Sequence, residues 1–103
     1  MLHSIAEARY VEFDAIEELQ IGQQRLLRIA GLVIHSSMVV CAIEQKLAPG
    51  TVQVIVHIEL SKRDMTGSFE LYVPLTPALQ SVTFGQRKHS LWRRTTKVKE
   101  EVA

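Results

Sequence analysis

The sequence predicts a mainly β domain, with an α+β variant left open by its first residues: an antiparallel meander of about five or six strands forming a small barrel or a sandwich. Three observations carry this. Residues 51–60 alternate between two faces over ten positions, Val52, Val54, Val56, Ile58 and Leu60 on one and Gln53, Ile55, His57 and Glu59 on the other, which is the period of a strand. The breaks between apolar runs are short and hold turn-forming residues, above all Pro49-Gly50. The strand-like runs also follow one another directly, and consecutive strands pair about two-thirds of the time.

The elements are justified in order. Ser4 with Glu7 three residues on is a capping-box pattern and argues for a short N-terminal helix. Val11, Phe13 and Ala15 alternate with Glu12 and Asp14 and argue for a strand near residues 9–16. Residues 4–16 therefore stay open between helix and strand. The polar stretch 17–24, with Gly22, reads as a turn or irregular connection. Residues 26–34 and 38–43 are rich in branched apolar side chains, and His35-Ser36-Ser37 between them suits a tight hairpin. Pro49 presets φ for the second position of a β-turn and Gly50 accepts positive φ at the third. After the strand at 51–60 comes a polar loop, 61–67, and then Phe69, Leu71 and Val73 alternate with polar neighbours until Pro74. Thr76-Pro77 starts one helical turn near 76–80. Residues 81–84 and 90–94 read as extended. The domain spans 1–94, and the apolar pattern is lost in a frayed tail at 95–103.

A chain of 103 residues is one domain and buries roughly two-thirds of its unfolded surface, enough for one core. The apolar share of 47% and charged share of 22% exclude global disorder. The single cysteine, Cys41, excludes an internal disulfide and a cysteine-rich zinc site. No basic region leads into an apolar run at the start, and the longest apolar run, 26–43, is too interrupted to span a bilayer. The expectation is a cytoplasmic protein without a membrane partner.

Charge is unevenly placed. Glu7, Glu12, Asp14, Glu17 and Glu18 face only Arg9 in residues 1–24, whereas Arg87, Lys88, Arg93, Arg94, Lys97 and Lys99 outnumber Glu100 and Glu101 in residues 85–103. Either the two ends meet, or the basic end meets an outside polyanion.

The faces of the second and third apolar runs bear on partners. Leu27, Ile29 and Val33 oppose Leu26, Ala30, Leu32 and Ile34, and the run at 38–43 is apolar on both faces. Such strands need cover on both sides. Each Leu or Val left in water forgoes about 1.5–3 kcal/mol of burial. The leading expectation is a homo-oligomer, a dimer or larger, built through Leu26, Leu32, Ile34, Val39 and Ile43. The rival source of cover is the chain's own N-terminal helix. A small apolar ligand would sit at the barrel mouth or the subunit interface.

Catalytic chemistry is thinly represented. His57 and Glu59 share a strand face, which reads first as a solvated surface pair. Cys41 reads as a buried, inert thiol. The five glycines are scattered and build no phosphate loop. No catalytic, cofactor-binding or metal-ligating residue is assigned, and no cofactor is expected. The basic end, Arg87, Lys88, Trp92, Arg93 and Arg94, combines cations with an aromatic platform as single-stranded nucleic acid requires. A domain pI near 8.0 is below the usual basic footprint. Nucleic-acid binding is therefore the alternative, and a β-rich binding or assembly module that self-associates is the principal reading.

Overall fold

The structure, a computed structural model, describes residues 3–34, 38–60 and 67–94, so the expected tail at 95–103 and the expected turn at 35–37 lie outside the described residues. It is mostly strand: β1 (His3–Ile5), a 3-10 turn (Ala8–Tyr10), β2 (Val11–Ile21), β3 (Gln24–Val33), β4 (Met38–Ala48), β5 (Thr51–Leu60), β6 (Ser68–Pro74), β7 (Ser81–Phe84) and β8 (His89–Arg93). The strands form two sheets that face each other and do not close into a barrel. The larger sheet is centred on β5, which pairs with β4 on one edge and with β1 and β7, at its two ends, on the other; β8 follows β7. The smaller sheet runs β2-β3-β6. All pairs are antiparallel except β5 with β7.

The core lies between the sheets. Val52, Val54, Val56 and Ile58 of β5 meet Leu27, Ile29 and Val33 of β3 and Phe69, Leu71 and Val73 of β6, with Val82 and Phe84 from β7. Three phenyl rings lock the centre: Phe13 stands edge-on to Phe84 at 5.2 Å and to Phe69 at 6.4 Å, and Phe69 stacks on Phe84 at 6.0 Å.

Two expected connections differ. Residues 17–24 continue the strands on either side, leaving a tight turn at Gly22-Gln23 with Gly22 at φ 61°. The long β2 that results takes one edge of β3 and β6 takes the other, so β3 and β4 are not a hairpin and belong to different sheets. The N-terminal helix is reduced to the single 3-10 turn. Two stronger interactions compete for its residues. Residues 3–6 pair with β5, ending in the Ala6 N–H to Val56 carbonyl bond at 2.9 Å. The Glu7 carboxylate caps no helix and instead accepts the backbone N–H groups of Gln86 and Arg87 at 3.1 and 3.2 Å. The segment near 76–80 forms one turn, closed by Leu79 N–H on the Thr76 carbonyl at 3.1 Å. No helix among the described residues is long and apolar enough to cross a membrane.

The middle of the second face of β3 is covered within its own sheet rather than by a helix, while Leu32 on that face stays exposed. Arg28 lies flat across it, donating to Glu17 of β2 at 2.8 Å and to Glu70 of β6 at 2.6 Å, and the Tyr72 hydroxyl donates to the same Glu70 at 3.0 Å. Beside this ladder Ala30 is buried although it points away from the core.

Gly31 sits in register between Phe13 and Phe69. A Cβ there would lie 3.0 Å from the Glu12 carbonyl oxygen, 3.0 Å from Val11 Cγ1 and 3.2 Å from Phe69 Cζ. Backbone cannot yield as a side chain can, so Gly31→Ala is expected to lower stability by about 1–3 kcal/mol, read as a lower urea midpoint with unchanged slope.

Candidate assembly surface and the basic end

β4 leaves part of its core-side face exposed and one backbone edge unpaired among the described residues. Its core-side residues Ile43, Gln45 and Leu47 stand opposite Val56, Val54 and Val52 of β5. Those valines are almost wholly buried, yet Leu47 is 79% exposed and Ile43 38%. Met38 and Val40 pack on the core, but farther along the strand overhangs the smaller sheet, and Gln45 and Leu47 face an open pocket toward Pro74, Thr76 and Ala78 in place of a packed layer. The overhang touches the smaller sheet through Gln45, whose amide donates to the Tyr72 carbonyl at 3.0 Å.

The backbone edge follows from the hydrogen bonds of β5. The carbonyls of Val54 and Val56 are taken by Gly85 and Ala6 on the β7/β1 side. Alternate residues point their backbone groups to opposite edges. Gln53 and Ile55 therefore bond to β4, and their partners Lys46 and Glu44 point inward. Ile43, Gln45 and Leu47 point their N–H and C=O groups outward, where no described strand pairs with them.

The five residues expected at an oligomer interface are not brought together. Leu26 and Leu32 lie on the outer face of the smaller sheet, Leu26 half-buried and Leu32 exposed. Ile34, just beyond β3, is exposed and donates its N–H to the Tyr10 carbonyl at 2.9 Å. Ile43 is on the β4 overhang. Val39 is 4% exposed and so is already buried by the chain itself. Leu47 was not singled out from the sequence, because alternation alone cannot tell where one sheet stops covering the other.

The basic end is also divided. Arg87 and Lys88 are exposed in the β7–β8 turn, Lys88 at φ 58°, and Arg93 is exposed on β8. Trp92 is turned toward the core, opposite Val82, and its indole N–H donates to Glu18 of β2 at 2.7 Å. Arg94 lies over the Trp92 ring, its guanidinium carbon 5.4 Å from the centroid, and ties down the 76–80 turn by donating to the carbonyls of Leu79 at 2.8 Å and Thr76 at 2.9 Å. The acidic and basic ends of the chain thus meet, through Glu7 and Glu18.

The outer face of β5 is not the solvated face expected from its polar residues. Ile55 and Glu59 are buried, and His57 pairs with Glu44 of β4 at 3.0 Å. Cys41 occupies a bulge between Val40 and Ala42, which turns it outward; it is exposed and its thiol donates to the His57 carbonyl at 3.4 Å. No group of three His, Cys, Asp or Glu among the described residues is placed to hold a metal ion. An apolar cavity of about 550 Å³ opens at one end of the sandwich, lined by Ile5, Ala6, Tyr10, Val33, Met38 and Ile58 among others.

Comparison with family models, with curated proteins and with solved structures returned no match to this chain.

Among the described residues three carboxyls titrate below the usual 4.5: Glu18 because it accepts from Trp92 and then Arg25, Glu44 because it accepts from His57, and Glu70 because it accepts from Arg28 and then Tyr72. A carboxyl depressed in the folded state contributes stability that is present above its unfolded pKa and lost as pH falls through its folded value. These groups should leave the urea midpoint level between about pH 7 and pH 5 and lower it below about pH 4.5. Glu70→Gln should lessen that acid slope, compared with wild type in urea melts across the same range.

Proposed function

We propose that this protein is a self-associating β module that acts by assembly and binding rather than by catalysis. The observation that supports it is β4, an eleven-residue edge strand whose outward backbone groups are paired with no strand among the described residues and whose core side carries exposed apolar side chains. An exposed edge of this length is a template for pairing with another chain. The cavity at the end of the sandwich favours a second, compatible reading, a compact apolar ligand, since its volume and lining fall in the range of small-molecule sites. Nucleic-acid binding has less support: Trp92 and Arg94 are engaged inside the fold, which leaves Arg87, Lys88 and Arg93 as exposed cations without a stacking platform.

Light scattering behind a sizing column tests the reading. The wild-type chain of 11.6 kDa is expected at twice that mass or more at tens of micromolar, and Leu47→Asp is expected to shift the equilibrium at least tenfold toward monomer. Leu32→Asp, on the outer face of the other sheet, is expected to leave it unchanged. A wild-type protein that stays monomeric into the hundreds of micromolar would overturn the proposal.

A further inference from the structure

The partner that β4 fits is a second copy of β4. Resting on the self-association reading, we infer that two copies pair antiparallel through this strand about a twofold axis at Gln45, joining their two larger sheets into one.

Four features of the strand converge on that register. The first is hydrogen bonding. Ile43, Gln45 and Leu47 point their backbone groups outward, so only a register that pairs these residues with each other completes the ladder. Centring on Gln45 pairs Gln45 with its own copy and Ile43 with Leu47. The second is charge. The same register sets Glu44 opposite the second copy's Lys46, and by symmetry Lys46 opposite the second Glu44. These fall in non-hydrogen-bonded positions, where Cα atoms are about 4.5 Å apart and side chains are closest. Sliding by one step either way sets Glu44 against Glu44 or Lys46 against Lys46, which repel. The third is burial. On the core side, exposed Ile43 meets exposed Leu47 twice, covering the overhang that the smaller sheet leaves bare. The fourth is regularity. The Cys41 bulge and the turn beginning at Pro49 bound an unbroken stretch, Ala42 to Ala48, whose midpoint is Gln45.

The other edges are poorer candidates for such pairing. β2 carries Glu12, Asp14, Glu17 and Glu18, which would repel a second β2. The outer edge of β6 has its Tyr72 carbonyl taken by Gln45 and ends at Pro74. β8 is five residues long and includes Arg93.

Charge reversal provides the test, with the full chain and light scattering or sedimentation as readout. Glu44→Lys alone sets two lysines against each other, and Lys46→Glu alone two glutamates. Each is expected to weaken dimerisation about tenfold or more. The double variant E44K/K46E is expected to restore wild-type association. An equimolar mixture of the two single variants is expected to form a heterodimer, because every charge pair across the axis is then opposite. That rescue also excludes misfolding of either single variant as the cause of its weakness. Wild-type dimers with unaltered affinity in both single variants would overturn this register while leaving self-association through another surface standing. A monomeric wild type would overturn both.

Discussion

The structure depends on β5 being satisfied on both edges and both faces at once. Its inward valines form the floor of the core, and its outward Ile55 is buried between Gln53 and His57, two residues away on the same face, with Glu44 opposite on β4. Its β4-distal edge is shared by β7, running parallel, and β1, running antiparallel. No single strand covers that edge, so distant parts of the chain must converge on it. The N-terminal residues are drawn there in place of helix, and the Glu7 carboxylate then closes the turn after β7 onto the start of the chain.

With β5 occupied in this way, the edges of the sandwich are treated unequally. Glu18 on β2 reaches Trp92 on β8 along one side, and Gln45 on β4 reaches Tyr72 on β6 along the other. Each is a single side-chain bridge rather than a strand pair, which is why the sheets face each other without closing into a barrel. Along the second side the larger sheet extends past the smaller, and inward Ile43 and Leu47 of β4 are left exposed. The same chain solves a similar problem on the outer face of β3 differently, with an ion-pair ladder of Arg28, Glu17 and Glu70 laid over small residues. Ile43 and Leu47 have no such ion-pair ladder among the described residues and stay exposed.

Elements governed by local signals were legible in the sequence. The alternation of residues 51–60, the Pro49-Gly50 turn with Gly50 at φ 72°, and the strands at 69–73 and 81–84 all stand in the structure. The facing of β3, with Leu27, Ile29 and Val33 toward the core, was legible too. What could not be read locally was which strands meet. A capping-box pattern at Ser4 and Glu7 is outweighed by an edge of β5 more than fifty residues away. The polar run 17–24 looked like a connection because its side chains are polar. Polar residues extend a strand readily when both faces lie at the exposed end of a hairpin, as they do here. The same limit applied to the candidate surface. Ile43 was legible as apolar and needing cover, whereas Val39 proved covered on the outer face, opposite Glu59, and Leu47 bare on the core side, a difference that alternation alone does not carry.

The central claim is that the outward backbone groups of β4 are completed by another chain. Amide hydrogen exchange measured at low and high protein concentration tests it residue by residue. The N–H groups of Glu44 and Lys46 are bonded to β5 and should be protected at both concentrations. Those of Ile43, Gln45 and Leu47 should exchange rapidly when dilute and become protected as concentration rises. Rapid exchange at Ile43, Gln45 and Leu47 in a sample shown by its mass to be oligomeric would contradict the account.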